Sequence, residues 1–133
     1  MSRYQTAGTA YRAQAAETAA PGQLVVMLYD GAIGAIARAE HAFESVDGNK
    51  IETINRELTR AQDIVTELML SLDHERGGTI ANNLAAIYEF SIATLTAANL
   101  SKSPRDLPHV KRQLVNLRHA FADAAAQVAA GAA

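Results

Sequence analysis

The chain has 133 residues, 49% of them hydrophobic and 20% charged, with a formal charge of −2. That length and composition fit one globular domain with its own core, and the charge gives no reason to expect nucleic acid or an anionic membrane as the main partner. Cysteine is absent, which excludes disulfides, thiolate metal sites and a thiol nucleophile.

The opening stretch, MSRYQTAGTAYRAQAAETAAPG, has no apolar core of the kind a signal peptide needs. No run of about 18 apolar residues follows it, so no bilayer span is expected. These features read as cytoplasmic. Residues 1–17 carry Tyr4 and Tyr11 among small and polar residues without a sustained period, and form a leader expected to be mobile or to dock on the body. Residues 18–130 are expected to be the folded domain.

The first helix starts near Pro21, which lacks the N–H that would go unpaired in a first turn. Leu24, Leu28, Ala32, Ala35, Ala39 and Phe43 recur at steps of three and four and make one apolar face. Gly31, Gly34, Ala35 and Ala39 would let this helix approach a neighbour closely. VDGNK ends it. In the second helix Ile54, Leu58, Ala61, Val65, Leu68 and Leu72 repeat the pattern, with Asn55, Arg56, Glu57, Arg60 and Asp63 mostly on the other side. The stretch Asp73-His74-Glu75 then reads as a helix end, Gly77-Gly78 as the reversal, and Thr79 as the cap of the next helix. The third helix carries Ile80, Leu84, Ile87, Ser91, Leu95 and Ala98, and SKSPRDLP breaks it. The fourth carries Val110, Leu114, Leu117, Phe121, Ala124 and Val128, and the tail AAGAA should fray. Four amphipathic helices joined by short turns, with no period of two, predict an all-α, antiparallel up-down four-helix bundle.

Within that frame the chemistry of an enzyme is hard to assemble. A carboxylate-bridged metal bundle needs Glu-x-x-His on two helices, and the sequence has none; Asp106-Leu107-Pro108-His109 comes nearest, in a proline-bearing connector. His41 and His119 are the candidates for a phosphorylatable histidine, but read better as solvated or half-buried helix residues. Asp73, His74 and Glu75 point about 100° apart on a helix and do not converge on one ion. The Gly77-Gly78 pair lacks the lysine and hydroxyl of a phosphate loop. No catalytic residues, metal, cofactor or small-molecule substrate are expected. What remains is apolar surface. Val25, Val26, Met27 and Tyr29 widen the first helix's face, and Tyr88, Ile92 and Asn99 form a second edge on the third. This excess could cover an imperfect core, pair two subunits or hold a partner helix in a groove; periodicity does not separate these.

Two groups of residues together resemble the flagellin-specific export chaperones of the FliS family. The first is Tyr11, Thr18, Pro21, Leu24, Met27, Leu28, Tyr29, Asp30, Gly31 and Ala32. The second is Leu72-Asp73, Glu75, Gly77-Gly78, Ile80-Ala81, Asn83-Leu84, Tyr88 and Ala98-Asn99-Leu100. The resemblance covers residues 11–125, with Ala20 where the family often has serine and Phe121 where it usually has tryptophan. It implies a cytoplasmic bundle, without catalysis, that binds the disordered C-terminal segment of flagellin. It prevents premature polymerisation and aids delivery to the flagellar secretion apparatus, whose membrane export gate is a second partner. On this resemblance the client contacts are expected at Leu68, Leu72, Ile80, Leu84, Ile87 and Tyr88, and the leader and export-gate contact at Tyr11. Pro21, Leu24, Leu28, Tyr29, Asp30, Gly77, Gly78 and Asn83 carry over as structural positions, and the protein is expected to be a monomer or weak homodimer. The alternative of another class is a small dimeric four-helix signalling or adaptor module of phosphotransfer type.

Overall fold

The structure, a computed structural model, describes residues 21–132; the leader and Tyr11 lie outside them. Four helices follow one another: α1 Pro21–Phe43, α2 Lys50–Leu70, α3 His74–Ser101 and α4 Leu107–Ala132. Each connection is short, so sequence neighbours lie side by side and run antiparallel. The order around the bundle is α1, α2, α3, α4; α1 and α2 pack most intimately and α3 and α4 least.

Alanine explains the close pair. Ala32, Ala35 and Ala39 of α1 are completely buried, as are Ile54, Leu58, Ala61 and Val65 of α2. Short side chains let the two axes approach, and branched ones from α2 fill the space between. At Gly31 a Cβ would stand 3.1 Å from Ile64 Cδ1, so this glycine does face α2. Gly34 does not: only Arg38 of its own helix stands near it. Glu57, expected on the solvent side, is 3% exposed because Arg38 reaches across from α1 and binds it, Nε to Oε2, at 2.8 Å. A buried carboxylate needs such a partner.

The α2–α3 junction differs from the sequence expectation. Helix α2 ends at Leu70, where the Ser71 N–H bonds back to Glu67 O at 3.1 Å and its hydroxyl donates to Leu68 O at 2.7 Å. Asp73 has extended geometry (φ −98°, ψ 95°), and its Oδ1 accepts from Arg76 N at 3.1 Å. The acid–histidine–acid stretch is thus the start of a helix, not the end of one: a short carboxylate in extended backbone caps the turn that follows. Asp73 caps a first turn, residues 74–77, which non-helical backbone at Gly78 sets off from the longer run of α3 that begins at the expected Thr79. The reversal sits on Gly78 alone, whose φ of 50° and ψ of −122° suit only glycine.

At the other ends, α3 stops at Ser101 with Lys102 in left-handed geometry (φ 49°), its Nζ donating to Asn99 O at 2.7 Å. Pro108 and His109 belong to the first turn of α4 rather than to a connector. Helix α4 extends through the alanine-rich tail to Ala132.

Candidate functional site

The edges of each helix can be assigned from their cross-helix contacts. On α4, Lys111 Nζ binds Glu40 at 2.5 Å and Arg118 Nε binds Asp30 at 2.9 Å, fixing the edge that faces α1. His109 meets Phe90 of α3 edge-on, ring centroids 5.9 Å apart, fixing the edge that faces α3. On α3, Asn99 donates to Asn55 at 2.9 Å, and Gln62 bonds Thr96, so those positions face α2. Phe90 lies on the other edge, and helical spacing places Ile87, Leu84 and Ile80 along the same side.

Large apolar side chains stay in water along the α3–α4 seam, as they also do singly at Val46, Ile51, Leu70 and Leu100 outside it. Ile80 is 70% exposed, Phe90 49% and Val128 73%. Leu84, Leu117 and Phe121 are only partly buried beside them, packed against the core. Burying one such side chain fully is worth about 1.5–3 kcal/mol. The seam also contains a polar irregularity. Gln113 lies four residues beyond His109 on the same edge of α4, and its buried Oε1 has no hydrogen-bond partner among the described residues.

The six residues expected to touch a client divide by depth. Leu68 and Tyr88 are each 1% exposed and belong to the core. Leu72, Leu84 and Ile87 are half-buried, and Ile80 is exposed. Helical spacing accounts for Tyr88: it is one position from Ile87 and turns inward. Its hydroxyl bonds that of Tyr29, another side chain assigned to surplus apolar surface and found completely buried. Phe121 packs on Tyr29 at 5.5 Å. Burial raises the pKa of both tyrosines; for Tyr29 the bond to Tyr88 adds to the rise, whereas for Tyr88 the bond to Tyr29 opposes it. Asp30 ties α1 to α4 through Arg118, and that bond holds the guanidinium pKa above its ordinary value. Asn83 is exposed. Phe90 and Val128 were missed as seam residues because Phe90 lies outside the main apolar stripe and Val128 continues it past the end of the core.

An open depression of about 440 Å³ lies elsewhere, at the α1–α2 turn, lined by Arg38, His41, Asn49 and Lys50 among others. None of the expected client residues reaches it. Among the described residues, no three His, Asp or Glu side chains are grouped to hold a metal, and no helix is long and apolar enough to cross a membrane.

Fold and surface together define the class: an all-α four-helix bundle with a row of exposed and half-buried apolar side chains along its least-packed helix–helix seam. The sequence narrows this further. Residues 3–128 match the family model described as flagellar protein FliS, and the chain belongs to that family. It is 35% identical over 105 residues to the flagellar secretion chaperone FliS of Salmonella typhimurium, covering 78% of this chain and 76% of that one. To the protein of the same name from Bacillus subtilis it is 32% identical over 116 residues, 87% of this chain and 84% of the relative. The Escherichia coli flagellar secretion chaperone FliS is 30% identical over 124 residues, 89% of each chain.

Proposed function

We propose that this protein is a cytoplasmic export chaperone that binds the C-terminal segment of flagellin. It keeps that segment from polymerising and presents it to the flagellar secretion apparatus. The secretion-chaperone names of its relatives support the role. The observation that carries the site is the seam: Ile80, Leu84, Ile87 and Phe90 of α3 stand opposite Leu117, Phe121 and Val128 of α4, large apolar groups left at the least-packed interface. An amphipathic client segment that folds into the seam covers them. Such coupled folding typically buries about 1,000–3,000 Å² and loses about 2–5 kcal/mol to ordering the client. At about 25 cal/mol per Å² of apolar area the burial exceeds that loss. Leu68 and Tyr88 then shape the floor of the site from below, and Leu72 borders it at the α2–α3 junction. Tyr11 and the leader are assigned to the export gate and to covering the groove when it is empty.

The test is calorimetric titration with a peptide from the C-terminal end of the host flagellin. Expected are one-to-one binding, a negative heat-capacity change and a gain of helix by circular dichroism. Ile80→Ser should weaken binding by about tenfold, the equivalent of one poorly covered aliphatic side chain. Deleting residues 1–17 should tighten it. Absence of binding at micromolar peptide, with and without that deletion, removes this reading.

A further inference from the structure

The end of the seam away from Ile80 is built from a different chemistry. Between Lys102 and His119 lie five of the chain's twelve Lys/Arg and only one of its fourteen acids, Asp106, on a molecule whose net charge is −2. Two of those cations are spoken for, Lys111 by Glu40 and Arg118 by Asp30. Arg105 and Arg112 are not: both are exposed, and neither pairs with a carboxylate among the described residues. Arg105 stands in the α3–α4 turn, two residues before α4 begins, and His109 and Arg112 follow three apart in the first turns of α4, all three exposed at this end of the bundle. His109 is itself held against the half-exposed ring of Phe90. Next to Arg112 is the one orphaned buried acceptor among the described residues, Gln113 Oε1.

We infer that the seam reads its client in one direction. An acidic stretch of the client helix docks on Arg105, His109 and Arg112, and its apolar continuation lies over Phe90, Ile87, Leu84 and Ile80. This rests on the client reading above and adds the polarity and charge of the bound segment. The occupant follows from charge complementarity. The protein's own residues 1–20 carry Arg3 and Arg12 against Glu17, so the leader brings the wrong sign to this group. A nucleic acid or membrane would need a broad cationic face, whereas two unpaired arginines beside an apolar ring suit an amphipathic polypeptide. Arg105 in the turn and Arg112 on α4 are seven positions apart in the chain and offer two separate points of contact. Two such points suit side-chain carboxylates spaced along the client, not the single carboxylate at its C-terminus. Arginine serves here because its planar fork can take a carboxylate through two parallel bonds.

Peptide binding to the full chain at low salt, and again at about 1 M salt, where the screening length falls to about 3 Å, tests the inference. For the natural chain, affinity should fall clearly with salt. The double variant Arg105→Gln/Arg112→Gln should bind about five- to tenfold more weakly at low salt, with a flattened salt dependence. Both residues are exposed, so its melting temperature should match that of the natural chain. A peptide whose acidic side chains are replaced by amides should lose the same amount, and combining it with the double variant should lose little more. Ile80→Ser should weaken binding equally at both salts. If the double variant keeps the natural affinity and salt slope while Ile80→Ser still weakens binding, the polarity inference falls and the client reading stands. If amidating the peptide's C-terminus alone removes the salt dependence, the terminal carboxylate is the ligand and the inference is again overturned. If the peptide binds no variant at all, both readings fall together.

Discussion

The α1–α2 and α3–α4 interfaces pair antiparallel helices of similar length, yet they are built by opposite means. On the first, alanines at helical spacing bring the backbones together, so Ile54, Leu58 and Val65 are sealed completely. Its one inward charge, Glu57, is met by Arg38. On the second, Ile80, Phe90 and Val128 stay in water, and a buried amide oxygen of Gln113 goes unmet. Both interfaces have apolar side chains; only one has them interlocked. On the proposed function, the sealed half of the bundle carries the stability and the open half carries the client surface.

That separation is open to direct attack. Leu58→Ala leaves a cavity in the sealed interface and should lower stability by about 2–5 kcal/mol, read from urea unfolding. Ile80→Ser removes a side chain of comparable size from the seam and should change stability by less than about 0.5 kcal/mol, while weakening peptide binding. Equal losses of stability from the two substitutions would mean that the seam is core after all.

An intermediate effect is expected at Gly78, where the chain enters the seam. Its φ of 50° with ψ of −122° lies outside the regions open to residues with a Cβ, although there is open space around it. Gly78→Ala should therefore cost about 1–3 kcal/mol through backbone strain alone, and should disturb Ile80, two residues on, more than Leu58. Hydrogen exchange would show it as faster exchange confined to the first turns of α3. Uniform acceleration through α1 and α2 would contradict a local role.

Much of the frame was legible because period and breakers are local properties. The steps of three and four through Ile54, Leu58, Ala61, Val65 and Leu68 identify a buried stripe, and all five are buried. The α2–α3 junction was misjudged because Asp, His and Arg can serve either end of a helix. Which end they occupy depends on where α2 stops, and that is settled by Ser71 folding back on Leu68. Depth was the harder quantity. Tyr29 and Tyr88 look like surplus apolar surface on a helical wheel, but each satisfies the other's hydroxyl, which lets both go inside. Glu57 likewise carries no local sign of its burial; the guanidinium that permits it comes from nineteen residues away on another helix. Pairings of this kind exist only once the helices have met.

The tyrosine pair gives the smallest effect and the finest test of where the core ends. It bridges α1 and α3, the diagonal of the bundle, just below the open seam. Tyr88→Phe keeps the ring and removes one hydroxyl, so it should cost about 1 kcal/mol near neutral pH and leave the seam's apolar side chains in place. The pH dependence carries a definite sign. Both phenols have pKa values raised in the folded chain, whereas an exposed tyrosine ionises near pH 10. Below about pH 10 the phenols are neutral in both states and their contribution to stability is fully present. Above it the unfolded chain releases protons that the folded chain retains, so stability must fall with rising pH. Tyrosinate absorbance from Tyr29 and Tyr88 should therefore appear together with the loss of helix. Tyr88→Phe should make the alkaline slope shallower, because one of the two retained protons is gone. Ionisation of Tyr88 ahead of unfolding would mean that water reaches it through the seam, and that the core ends one layer deeper, at Leu95 and Leu114.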